Sequence, residues 1–161
     1  MFDKKRRKLV IAYLMEIDMR QWILAFKALA LGLFLSTSSV QATEPVKVVY
    51  HMSEGIPQAS RGLNNIRNHL AADPSAKIVV VTHGLGIDFL LQGATNQMEQ
   101  PFAGAISDLA NRGVEFRVCN NTLVSRKLEA DKLVMEAKVV PSGVAEVATM
   151  QAKHGFVYLR H

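Results

Sequence analysis

One thiol and two imidazoles, each at the end of an apolar run, are the groups best suited to chemistry. Cys119 is the single cysteine among 161 residues and closes the run Val114-Glu115-Phe116-Arg117-Val118-Cys119, ahead of Asn120-Asn121-Thr122. Valine and phenylalanine alternating with charged residues after Gly113 predict a β-strand. Asn120, Asn121 and Thr122 offer side-chain oxygens suited to capping a helix that follows. A thiol between a strand's carboxyl end and a helix's amino end lies where open α/β sheets bind ligands. The helix dipole and free N–H groups there favour the thiolate, the form that reacts. The competing reading is a small buried hydrophobe, since free cysteine is among the most buried residue types.

His51 and His83 end two further apolar runs and could polarise the thiol or hold a ligand. Each could equally be a satisfied histidine at a strand end. His83 is the candidate tuning residue for Cys119, and His51 a candidate ligand contact. The two histidines and the cysteine lack the short ligand spacing of metal motifs, so no metal site is expected. Gly84-Leu85-Gly86 lacks the third glycine of the dinucleotide fingerprint, and no Walker lysine pattern is present. Glycine there serves a tight turn. Ser142 lacks the Gly-x-Ser-x-Gly setting of a serine hydrolase, and Pro141-Ser142-Gly143 forms a rigid corner and helix cap. Asn121, Thr122, Ser142 and Gly143 join His51 and Gly84 as candidate ligand-binding residues, and no cofactor is expected.

The elements that position these groups follow from periodicity. Val46 to Met52 and Lys77 to Thr82 predict strands, the second with the continuous β-branched character of a covered parallel sheet. Pro57 opens a helix with Ala59, Leu63, Ile66 and Leu70 on one stripe, ended by Asp73-Pro74. Pro101 opens another, carrying Phe102, Ala105, Ile106 and Leu109. The spacing predicts a helix over 123–135, a short strand at 138–140, and a helix after Ser142 with Val144, Val147, Ala148 and Gln151 on successive turns. Gly155 stops that helix, and Phe156 to Leu159 forms a fifth strand. Strands alternating with helices imply a three-layer α/β/α sandwich around a mainly parallel five-stranded sheet, flavodoxin-like in style. All strand carboxyl ends then share one edge, gathering His51, His83, Cys119 and Ser142.

The net charge of +5 does not mark a nucleic-acid binder, because it is concentrated at the N-terminus. Seven of the 19 Lys and Arg residues precede residue 43 against three acids, so that segment carries +4; 12 bases against 11 acids leave +1 for residues 43–161. Arg20 to Lys27 forms a positive region, residues 28–35 an apolar core, and Val40-Gln41-Ala42 a small-residue cleavage pattern. That core is shorter than the ~20 residues a membrane span needs. Residues 1–42 are therefore read as an extension plus cleavable Sec-type signal, the signal proper at about 19–42, with Met19 the better initiator. The expectation is a periplasmic protein with one domain at 43–161 and no stable membrane span after cleavage. A lone cysteine cannot form an internal disulfide there.

One sequence order is familiar: Val48-Val49-Tyr50-His51, Leu63-Asn64-Asn65-Ile66-Arg67-Asn68-His69-Leu70, Thr82-His83-Gly84, Cys119-Asn120-Asn121-Thr122-Leu123, Val140-Pro141-Ser142-Gly143-Val144 and Gly155-Phe156-Val157-Tyr158. It resembles the DsrE/DsrF-like family of intracellular sulfur oxidation, in an exported branch, across about residues 45–161. The resemblance implies the three-layer α/β fold and homotrimers or hexamers. In the family's sulfur-relay members a cysteine accepts and passes persulfide sulfur, and the matching position is Cys119. Those members act in the cytoplasm with partner subunits, whereas this chain carries an export pattern.

The leading expectation is an exported sulfur carrier, akin to a sulfurtransferase rather than a hydrolase or oxidoreductase. It would exchange persulfide sulfur with a donor or acceptor protein or a small thiol. The alternative is a non-catalytic small-molecule-binding or structural oligomeric module without sulfur chemistry.

Overall fold

The computed structural model describes residues 44–160 together with Lys8. The predicted signal segment lies outside the described residues. Five strands form a single sheet: β1 (Lys47–Met52), β2 (Lys77–Thr82), β3 (Glu115–Cys119), β4 (Ala137–Val140) and β5 (Val157–Arg160). Their order is β4-β3-β2-β1-β5, and every pairing is parallel.

The chain path explains the layers. From β1 to β4 each strand adds to the same side of its predecessor, so right-handed crossovers put the connecting helices on one face. These helices are α1 (Ile56–Ala72), α2 (Ala103–Asn111) and the short α3 (Asn120–Ser125). The step from β4 to β5 returns across the sheet, so α4 (Gly143–His154) packs on the opposite face. The first face buries Tyr50, Met52, Leu63, Ile66, Phe89, Ile106 and Phe116; the second packs Val49, Val79 and Val81 on Val147 and Met150. The expected three-layer α/β/α sandwich is present, with one layer made by a single helix.

Two predicted elements differ in detail. The helix expected over 123–135 is α3 alone, ending at Ser125 with a 3₁₀ turn at Ala130–Lys132. Lys127 takes a positive φ of 55°, which ends the helix, and Leu133 then pairs with Leu91 and enters the core. Burial of Leu133 outweighs the local helical spacing. The buried stripe of α4 is Gly143, Val147 and Met150, while Val144, Ala148 and Gln151 face outward. Packing of Val147 and Met150 on Val49, Val79 and Val81 selects that stripe.

The loop after β1 is held by a buried amide. Gln58, 1% exposed, accepts the N–H groups of Ser53 and Glu54 at 2.7 and 2.8 Å. Gly86, in the 3₁₀ segment Gly84–Leu90, comes so near that an added Cβ would stand 2.1 Å from the Met52 carbonyl oxygen. The carboxyl end of β1 and the segment after β2 are thereby locked together.

Candidate functional site

Cys119 is the last residue of β3 and takes the N-cap position of α3. The asparagine capping expected from the sequence is absent, and no side chain caps this helix. Asn120 and Asn121 lie inside its first turn instead. The thiol consequently faces the free N–H groups at the helix start.

The thiol lies at the carboxyl edge on the α4 face, 5% exposed. Burial pushes it up, but N–H donors from Gly143, Thr122 and Asn121 and the Thr122 hydroxyl together hold its pKa below the ordinary 9.0. These donors come from two separate elements, the start of α4 and the start of α3. Thr122 Oγ1 also accepts the Gly84 N–H at 3.0 Å. The hydroxyl thus ties the β2 loop to the thiol, accepting on one side and donating on the other. Arg126 adds a second tie, donating to the Gly84 carbonyl at 3.2 Å.

Four groups follow one another across this edge in sheet order: Cys119 on β3, His83 just beyond β2, His51 on β1 and Tyr158 on β5. Gly143 sits between the first two. A Cβ built on it would come 3.1 Å from Cys119 Cβ, 3.1 Å from the Thr82 carbonyl oxygen and 3.3 Å from His83 Cβ. The rings of His83 and His51 are 4.7 Å apart, and His51 Nδ1 is hydrogen-bonded to the Tyr158 hydroxyl at 2.9 Å. His51 Nε2 is buried without a hydrogen-bond partner. Burial foremost, then the charges of His83 and Arg160, lowers the His51 pKa below 6.5, so the ring is neutral near pH 7.

Of the residues singled out from sequence, Cys119, His83, Gly84, Asn121, Thr122 and Gly143 therefore converge, with His51 joined through His83. Ser142 differs: its hydroxyl accepts the Ala145 N–H at 3.4 Å and caps α4, the structural role. Tyr158 and the Glu54–Arg160 ion pair at 2.7 Å on the rim were not anticipated. The Gly155-Phe156-Val157-Tyr158 strand was legible, but only the docking of β5 beside β1 brings the phenol to His51. Among the described residues no group of His, Cys, Asp and Glu side chains is arranged to hold a metal ion, and no helix is long and apolar enough to cross a membrane.

A family model described as the DsrE/DsrF-like family matches residues 33–159. Among solved structures, the chain is similar to MTH1491 from Methanobacterium thermoautotrophicum, a protein described as of unknown function. That likeness has 29% identity and a TM-score of 0.63, covering 72% of this chain and 99% of the other. The ychN protein from E. coli shares the fold at 11% identity and a TM-score of 0.59, with 74% and 100% coverage. No curated protein matches the chain.

Proposed function

The chain belongs to the DsrE/DsrF-like family, and from that premise we propose that it carries sulfane sulfur on Cys119. The observation that supports this reading is the set of N–H and O–H donors from α3 and α4 around one thiol, which lowers its pKa despite burial. Such a cradle favours the nucleophilic thiolate.

The transfer balances without an external oxidant. The Cys119 thiolate attacks the terminal sulfur of a donor persulfide, forming a new S–S bond. The donor's own S–S bond breaks, and its thiolate leaves and takes a proton from water. The persulfide on Cys119 passes its outer sulfur to an acceptor thiolate by the same exchange, regenerating the Cys119 thiolate. The N–H groups of Gly143 and Asn121 neutralise the charge on Sγ before attack and after release. His83, on the other side of Gly143, is the residue we assign to tuning the thiol, with His51 and Gly84 lining the approach.

We assign the work to the periplasm, on the basis of the signal pattern at about 19–42, and to a homotrimer or hexamer, on the basis of the family resemblance. The partner is a protein or small thiol that donates or accepts sulfur. The alternative, a binding module in which the thiol only packs, draws its support from the 5% exposure of Cys119.

Intact-mass measurement after incubation with polysulfide tests the proposal. The expected product is heavier by one sulfur atom, is removed by dithiothreitol, and is absent in Cys119→Ser. Wild-type protein without that adduct leaves only the binding-module reading.

A further inference from the structure

A cavity lies on the α4 face at the opposite, amino edge of the sheet from Cys119, between the last turn of α4 and the starts of β1, β2 and β3. Its volume is about 790 Å³, within the usual range for sites of small organic molecules. Five of the 12 Lys and Arg residues in 43–161 line it, Lys47, Lys77, Arg112, Arg117 and Lys153, with Glu115 the only acid in the lining. The rest of that segment is consequently acidic on balance, so the charge is segregated rather than spread.

Ordinary structural needs account for much of this charge: Lys153 lies in the last turn of α4 and Arg112 at the C-cap of α2, where cations complement helix carboxyl ends. Arg117 pairs with Glu115 at 2.9 Å and with Glu146. Lys47 reaches the His154 carbonyl at 3.5 Å, complementing the carboxyl end of α4, which carries roughly half a negative charge. Lys77, Arg112 and Lys153 are exposed and make no ion pair among the described residues. Half-buried Phe156 adds an apolar surface to the lining, packed against the buried Met150.

We propose that this cavity binds a small organic polyphosphate, its phosphates held by Lys77, Arg112 and Lys153 and its apolar body against Phe156. Three unpaired cations around one opening suit more than one negative charge. The apolar surface favours a ligand with a body over a bare inorganic anion. This site does not depend on the chemistry of Cys119, which lies at the far end of β3, about 13 Å away at 3.3 Å per residue.

Isothermal titration with ATP, without divalent cation and at about 50 mM NaCl, tests it. Saturable binding is expected, weakening as salt rises to about 200 mM. The Lys77→Glu, Arg112→Glu double variant should bind at least roughly tenfold more weakly with an unchanged melting temperature. If that variant fails to fold, Lys77→Gln with Lys153→Gln replaces it with the same expectation. Cys119→Ser should bind ATP as the wild type does, which separates this outcome from the fate of the sulfur proposal. Absence of saturable binding, undiminished binding in the folded charge variant, or adenosine or pyrophosphate alone matching ATP would each overturn the assignment.

Discussion

The rings of His51 and His83 lie 4.7 Å apart, centroid to centroid, tilted by 36° on neighbouring strand ends. Two imidazoles this close disfavour a second positive charge, and His51 is additionally half-buried, with its Nε2 unpartnered. The pair links the thiol side of the edge to Tyr158.

That relationship makes stability depend on pH. The folded His51 pKa is lowered from 6.5, so the unfolded chain binds more protons as pH drops through that value. Its stabilising contribution is complete above 6.5 and is lost as pH falls through the folded pKa. The melting temperature should therefore fall between about pH 7.5 and about pH 5, and His51→Gln should flatten that fall. An identical slope in the variant would show that His51 is not the responsible group.

Gly143→Ala places a methyl against the Thr82 carbonyl oxygen, Cys119 and His83, at 3.1 to 3.3 Å. The carbonyl is backbone and cannot swing aside, so α4 must shift from the thiol. A stability loss of about 1–2 kcal/mol is expected. Because the Gly143 N–H would move off Sγ, the pH midpoint of iodoacetamide alkylation should also rise. A lowered stability with an unmoved midpoint would show that Gly143 only packs.

Thr122 separates shape from hydrogen bonding. Thr122→Val retains volume but leaves the Gly84 N–H without its acceptor and removes one donor from Sγ. The expected cost is about 1–3 kcal/mol, with a higher thiol midpoint. Thr122→Ser should restore both, measured by denaturant unfolding and alkylation. Equal behaviour of the Val and Ser variants would contradict the dual role.

Two glycines should respond oppositely to alanine. Gly86→Ala requires a Cβ 2.1 Å from the Met52 carbonyl oxygen, whereas nothing lies within 4 Å of a Cβ at Gly104 in α2. The first should cost about 3 kcal/mol or more and disturb the loop behind His83. The second should be neutral or stabilising by about 0.5 kcal/mol. Thermal unfolding of both variants decides the matter, and a mild Gly86→Ala would mean that the β1 end and this loop are not locked.

Much of this site was legible because its signals are local. The β-branched run 78–81 and the alternation in 114–119 identify strands by themselves, and a parallel sheet obliges their carboxyl ends to share an edge. The misread stretch 123–135 shows the limit: its spacing is compatible with a helix, but Leu133 is needed in the core and pairs with Leu91. Gln58 was equally hidden, since nothing near it in sequence reveals which N–H groups it will satisfy.

From its sequence alone, this protein has strands, helices, a thiol between β3 and a following helix, and histidines at two other strand ends. These follow from side-chain periodicity and from glycine and proline, whose effects reach only a few residues along the chain. Strand order is a different kind of fact. It depends on which apolar faces bury one another across more than a hundred residues, and it was decided only on folding. The order β4-β3-β2-β1-β5 sets Cys119, His83, His51 and Tyr158 side by side, and the return of α4 across the sheet brings Gly143 to the thiol.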